Sequence, residues 1–456
     1  MGLFKSFVLL LIPVVLFAVG CDDEGSGGGI GPNLGNGDTD SVVTIFRPSP
    51  CQRIHDSIKV NVGISGGTAI DVIYITIDEV VYAVLEEAPY GTTIPSEILP
   101  SDGTHILKAI AVDSIGSTVS SEVKIYIDFV DPFYKNLLVV DADADPLELG
   151  GQPGAVFRIN TDPGSGTICT LASSSSFVDP AGIAVDSLGH IFVSDLNADM
   201  DGTGPGVGTI FRILPDRFND VEPLAVSGFF QAPMGLEIEP GGSMYVADYN
   251  ASPTGIEVGS DGTPPGAIFA VDRNTGIVTT VLTDARLDGP VGVTVDIPTG
   301  DLWVVDNRAN PYYGQHRGSV WKYDVSTGGL VDTPVAASVE FINPFEIRPD
   351  GAGNLVLTDS GDYKNGHLGK MFVIDPNVAD PKTSAVLMKS GSPFRMPSGF
   401  IRRSQGDYLI ADREADPFDD SYRGAILRYD PGTDVLDFLY TSDLFVTPID
   451  VVESPD

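Results

Sequence analysis

Five stretches of this sequence gather oxygen-bearing side chains, at alternate positions in all but the one that holds Arg308. They are Asp141-Ala-Asp-Ala-Asp145, Asp195-Leu-Asn-Ala-Asp-Met-Asp201, Asp248-Tyr-Asn-Ala-Ser252, Asp306-Asn-Arg-Ala-Asn310 and Asp412-Arg-Glu-Ala-Asp416. Carboxylates and amides at this spacing are the hard oxygen donors that calcium takes. The richest set is Asp195, Asn197, Asp199 and Asp201, followed by Asp141, Asp143 and Asp145. Neither set is an EF-hand, which needs glycine at its sixth position and glutamate at its twelfth; Met200 and Gly206, or Pro146 and Gln152, stand there instead. The other reading of the same aspartates is architectural, because a carboxylate can lock a turn by accepting neighbouring backbone N–H groups. Tyr249, Tyr312, Tyr313, Tyr363, Phe418 and Tyr422 fall in the same segments. Aromatic rings beside acids suit stacking on a sugar or a peptide.

Other constellations are poorer. Gly63-Ile-Ser-Gly-Gly67 fits the nucleophile-elbow pattern, but that motif requires a strand-to-helix turn and more strand follows here. His190, His316 and His367 share no common position, and no His-Glu-x-x-His occurs. Gly202 to Gly208 is glycine-rich but leads into a strand, so it is no phosphate loop.

The elements that carry these residues repeat. A proline opens a strand at Pro180, Pro233, Pro290, Pro344, Pro397 and Pro448, spaced by 51 to 57 residues. An aspartate ends an apolar strand at Asp141, Asp195, Asp248, Asp306, Asp359 and Asp412, spaced by 53 to 58. Proline is tolerated at the first residue of a strand, where the missing N–H is not yet needed. Each unit holds four short strands, the content of one propeller blade. The proline and aspartate series are out of step at the two ends. Asp141 has no repeat proline before it, and Pro448 has no aspartate after it. The strand 448–453 is therefore expected beside 136–141, closing a six-bladed ring over residues 131–456 and removing exposed edges. The loops after the aspartates run 10 to 18 positions to the next strand's glycine and share one face. Long loops on a rigid ring are where binding concentrates.

The pattern Pro-x-Gly-x-x-x-Asp followed by aromatic-Val-x-Asp resembles NHL-type and gluconolactonase-type propeller repeats. The resemblance implies acidic and amide metal ligands at the entries to the innermost strands. Those entries here carry Ala181, Met234, Val291, Phe345, Ser398 and Ile449. Glu346 and Asp450, one place further on where the other units have glycine, are the remaining catalytic candidates. One Glu and one Asp make a poor metal site.

Ahead of the ring, residues 42–130 alternate apolar and polar, as in Ile70-Asp-Val-Ile-Tyr-Ile-Thr-Ile-Asp78 and His105-Ile-Leu-Lys-Ala-Ile-Ala-Val-Asp113. This period of two predicts a β-sandwich. Ala88-Pro-Tyr90, Asp102-Gly-Thr-His-Ile-Leu107 and Ala111-Val-Asp-Ser-Ile-Gly116 resemble bacterial Ig-like modules. Residues 1–20 read as a signal peptide whose apolar run is too short to span a bilayer, ending Ala18-Val19-Gly20-Cys21. That ending resembles a bacterial lipobox, which implies lipidation of Cys21 and a membrane anchor through that residue alone. Residues 21–41, rich in glycine, asparagine and aspartate, read as a flexible tether. Cys51 and Cys169 are left either to bridge or to stay as two buried thiols, since an exported compartment permits a disulfide.

The formal charge is −37, from 63 acids against 26 bases, which repels nucleic acid and attracts cations and basic partners. The expectation is an all-β, exported lipoprotein of the bacterial cell envelope, facing the periplasm or the cell surface. It binds or scaffolds a protein or carbohydrate ligand on the acidic propeller face, with calcium in the loops, a reading that favours binding over catalysis. The alternative is a metal-dependent hydrolase or lactonase with a divergent site.

Overall fold

The computed structural model describes residues 41–454 except 55, 68, 128–135, 148–152, 161–166, 201–207, 216–219, 240, 254–263, 315–316, 363–364 and 416–422. The segments expected as a signal peptide (1–20) and, all but residue 41, as a tether (21–41), with Cys21, lie outside the described residues, as do Asp201, His316, Tyr363, Phe418 and Tyr422.

Strands supply nearly all of the regular structure. Val42–Arg47, Ile58–Ser65 and Gly91–Ile94 form a three-stranded sheet. Gln52–Ile54, Thr118–Ile127, Gly103–Asp113, Ile70–Ile77 and Val80–Leu85 form a five-stranded one. The alternating residues do what their period predicts. Ile58, Val60, Ile73, Ile75, Leu107, Ala109, Ile125 and Ile127 meet in one buried core between the two sheets, which makes this region a β-sandwich.

The remaining strands form six four-stranded sheets. Five are consecutive runs whose first strands are Pro180–Val185, Pro233–Ile238, Pro290–Asp296, Pro344–Pro349 and Pro397–Arg402. The sixth joins Pro448–Glu453 to Leu137–Asp141, Ala155–Ile159 and Ile168–Ser173, with Pro448 opposite Asp141 and Val451 opposite Val139. Each first strand touches the first strand of the next sheet, and Pro448–Glu453 touches both Pro397–Arg402 and Pro180–Val185. The sheets thus close radially around an axis: the chain is a β-propeller.

Three devices hold the ring. The first is the repeated aspartate, buried in all six sheets. Asp195 accepts the backbone N–H of Val178 at 2.8 Å, and those of Asp179 and Asn197 each at 3.1 Å. Asp248, Asp359, Asp412 and Asp141 take the N–H groups at the same three relative positions, and Asp306 takes a fourth from Ala309 at 2.7 Å. Each carboxylate therefore ties the end of the second strand to the two residues before the proline.

The second device is an aromatic residue three places before the proline. Phe177, Phe230, Phe341 and Phe445 are fully buried and pack edge-on against Phe211, Phe269, Phe372 and Phe157, at centroid distances of 5.1 to 5.6 Å. Such pairs add about 0.5–1.5 kcal/mol beyond their buried area. The third device links neighbouring sheets through hydroxyls. Ser194 Oγ donates to the Met234 carbonyl, and Thr358 Oγ1 to the Ser398 carbonyl.

The sandwich is fastened to the ring by a disulfide between Cys51 and Cys169, with Cα atoms 5.9 Å apart. Around it, Arg158 donates to Ser49 Oγ and to the Pro50 carbonyl at 3.3 Å, and Arg53 donates to Asn160 Oδ1 at 3.4 Å.

Candidate functional site

First strands begin on the long-loop face and run down the axis, so their side chains line the channel in layers. The entry layer is apolar. Ala181, Phe345 and Ile449 are buried in a single cluster that Met234 packs against, although they come from the first, fourth, sixth and second sheets. Residues from opposite sides of the ring can meet this way only across the axis. The layer therefore floors the channel mouth.

Glycine holds the next position in four sheets because neighbouring strands crowd there. A Cβ on Gly235 would lie 2.6 Å from the Val291 carbonyl oxygen. Glu346 and Asp450 break that rule: both are buried, and the structure groups them with Arg348 and Glu237, which are partly exposed. Arg348 Nη1 contacts Glu237 Oε2 at 3.2 Å, and its Nε lies 3.8 Å from Glu346 Oε1 while donating to the Phe400 carbonyl at 2.8 Å. Asp450 Oδ2 accepts the Ile183 N–H at 3.1 Å, across the seam where the ring closes, and Oδ1 accepts its neighbour Val451 N–H at 2.8 Å.

Burial dominates the electrostatics. It pushes Glu346 up to about 8 and Asp450 up to about 6, while Arg348 pulls both down. For Glu346 the nearby Asp450 and Glu237 also push upward, because three carboxylates share one guanidinium. Burial opposes the Arg348 cation, but Glu346, Glu237 and Asp450 outweigh it and hold the proton more firmly than usual. A protonated acid beside a carboxylate is the pairing that general acid–base chemistry uses. Both acids are nearly sealed, however, and the Phe345 layer separates them from the long-loop face. Sequence reasoning missed Arg348 and Glu237. They occupy a strand position where the other sheets carry Ala184, Thr294, Ile401 and Val452, so no repeat marks them.

Above the apolar floor lies a polar rim built from the residues one and two places after each repeated aspartate, together with those before each proline. Asn197 Nδ2 donates to Asp179 Oδ2 at 3.0 Å, Asn307 Nδ2 to Asn343 Oδ1 at 3.1 Å, and Thr447 Oγ1 to Asp143 Oδ2 at 2.7 Å. Arg413 lays its guanidinium over the Phe345 ring, 5.1 Å from the centroid, and reaches Ser360 Oγ at 3.3 Å. Arg308 lies 4.3 Å over the Tyr249 ring and donates through Nε to the Asp288 carbonyl at 2.8 Å. Three buried polar atoms of this rim have no hydrogen-bond partner among the described residues, Asn307 Oδ1, Arg413 Nε and Glu414 Oε2, whereas Arg308 Nη2 is ion-paired with Asp288 Oδ1 at 4.0 Å. The two loops involved both reach the entry of the fourth sheet, at Asn343 and Phe345.

The remaining sequence candidates separate. Asp141 and Asp195 face backbone N–H groups, and burial raises each carboxyl to about 6 against those hydrogen bonds. Asp143 is held by Thr447. Among the described residues, no three His, Cys, Asp or Glu side chains gather as a metal would require. Ser65 ends a strand that turns back into Ile70–Ile77, so the elbow-like motif has no helix after it. His190 is held by Asp186 Oδ2 at 3.0 Å, and His367 is exposed.

No protein-family model matches this chain. No curated protein sequence matches it. Solved structures similar to it include the Pseudomonas aeruginosa periplasmic gluconolactonase PpgL, at 14% identity over 70% of this chain and 99% of that one, with a TM-score of 0.44. A gluconolactonase of Xanthomonas campestris has 16% identity over 56% of this chain and 75% of that one, with a TM-score of 0.38. A fibronectin(III)-like module of Clostridium thermocellum CbhA covers 20% of this chain and 99% of its own, at 22% identity and a TM-score of 0.18. These likenesses are distant, and the β-propeller is read from the sheet order and ring contacts of the chain itself.

Proposed function

We propose that this chain is an exported, lipid-anchored binding protein whose six sheets act as the blades of a propeller. The propeller presents one polar mouth to a polyhydroxylated ligand, a carbohydrate. The observation that carries the reading is the set of three rim atoms without a hydrogen-bond partner over an apolar floor. Asn307 Oδ1 and Glu414 Oε2 are acceptors, whereas Arg413 Nε is a donor. A sugar hydroxyl both donates and accepts, so one ligand class satisfies all three. The sugar's apolar face would rest on the Phe345 layer, as in pockets that combine apolar walls with a few placed polar groups. An Ig-like sandwich over residues 42–130 would stand between the ring and a lipidated Cys21. The disulfide between Cys51 and Cys169 supports an oxidising compartment.

A glycan panel titrated by calorimetry tests this. Binding should be lost in Asn307→Ala and in Glu414→Gln with the melting temperature kept. No binding to any glycan, with the rim variants melting as wild type, sinks the proposal. Cys21→Ser should release the protein from the membrane fraction.

The second reading is a hydrolase or lactonase. The raised Glu346 beside Asp450 favours it, as an acid–base pair. A lactone panel with added divalent metals tests it, and activity unchanged in Glu346→Gln removes it. Calcium in the loops is a separate proposal that needs Asp201 together with Asp199. A calcium-raised melt lost in Asp201→Asn supports it, and an unchanged melt removes it.

A further inference from the structure

The seam between sandwich and ring encloses a hollow of about 390 Å³. Its lining inverts the charge of the molecule. Across the chain, 63 acids face 26 bases, yet among the described residues Arg47, Arg53, Lys59 and Arg158 line this hollow against a single acid, Asp56. Two of the cations are fixed in place. Arg53 and Arg158 are buried, Arg53 lying 5.3 Å over the Tyr126 ring and donating to Asn160, and Arg158 donating to Ser49 and Pro50.

Arg47 differs. It ends the strand Val42–Arg47, where its backbone pairs with Asn61, and its side-chain Nε is buried without an acceptor among the described residues. A guanidinium offers a planar fork of donors that matches the two oxygens of a carboxylate or a phosphate. In the same lining, Asn136 Oδ1 is buried with no donor among the described residues. An acceptor in the same hollow as an oxyanion site calls for a hydroxyl on the same ligand. The volume falls within the usual range for small-molecule pockets.

We propose that this hollow binds a small hydroxylated oxyanion, the carboxylate or phosphate ester of a polyol, clamped between the two domains. The site is separate from the long-loop mouth and does not rest on the reading given for it.

The test uses the full chain. Calorimetry and thermal melts are run with tartrate and with glycerol 3-phosphate, each against sodium chloride at matched ionic strength. That control is needed because a chain this acidic is stabilised by screening alone. Neutral glycerol and an anionic polysaccharide are the comparison arms. One of the two small anions should bind one-to-one and raise the melting temperature beyond the salt control, and which of them does so tells carboxylate from phosphate. Arg47→Gln should weaken that binding at least tenfold with an unchanged ligand-free melt. Lys59→Gln, at an exposed position where folding is not at stake, should weaken it less. Three results overturn the proposal: no heat or shift with either small anion, binding that both variants keep at wild-type strength, or binding of the polysaccharide alone.

Discussion

Two sets of buried carboxylates lie within this ring, and they behave oppositely. The six repeated aspartates end the second strands, and each faces backbone N–H groups supplied by its own sheet. Glu346 and Asp450 lie on the axis, replace glycine, and share Arg348 with Glu237. The repeated set answers a need that every sheet has, because the turn into each first strand leaves N–H groups that only an acceptor can satisfy. The axial set answers no such recurrent need. Repetition thus marks architecture, and a break in repetition marks something local to one place in the ring.

The comparison can be broken most forcefully at Arg348. Arg348→Met leaves the buried Asp450 and the partly exposed Glu237 without their cation and should cost about 3 kcal/mol at neutral pH, read by urea unfolding. A cost no larger than that of an ordinary surface substitution would show that the axial acids do not depend on it.

Asp306→Ala orphans four backbone N–H groups and should cost about 3–4 kcal/mol. The equivalent loss in Asp248→Ala should be close behind, since three N–H groups depend on it. If either variant unfolds like wild type, the aspartates are not the ties described above.

Glu346→Gln removes a carboxyl that burial already keeps protonated near neutrality, so it should change stability at pH 7 by less than about 1 kcal/mol. Its effect belongs to the pH profile. Glu346 at about 8, and Asp141, Asp195, Asp248, Asp412 and Asp450 at about 6, all titrate above the ordinary carboxylate range when folded. As pH falls, the folded chain takes up these protons before the unfolded chain does, so stability rises from about pH 8 toward about pH 5. Glu346→Gln should flatten the part above pH 6 and leave the part below it. A profile that rises with pH over this window contradicts the assignment.

The smallest expected effect is that of a rim substitution. Asn307→Ala should leave the melt within about 0.5 kcal/mol of wild type, because it removes a single side-chain hydrogen bond at the mouth.

Sequence carried the radial plan because proline and aspartate each solve one backbone problem per sheet and so recur in register. The phenylalanines three places before the prolines were equally periodic, with Leu287 standing in once, and would have sharpened the register had that position been tracked. The axial cluster was half visible. Glu346 and Asp450 were detectable as departures from glycine, but Arg348 and Glu237 sit where the repeat tolerates anything, and only the closed ring brings them within reach. The seam hollow was invisible for a related reason. Arg47, Arg53 and Lys59 lie in one region of the chain and Arg158 in another, and their meeting depends on how two folded units dock.

Ring closure also constrains the order of events in the cell. The strand Pro448–Glu453 pairs with Leu137–Asp141, formed about three hundred residues earlier, so the first of these strands to emerge waits for nearly all the rest of the ring. During synthesis that early strand presents an open edge until its closing partner arrives. A chain lacking residues 448–453 leaves a circle with one seat empty, and the same strand of a second copy has the register to fill it.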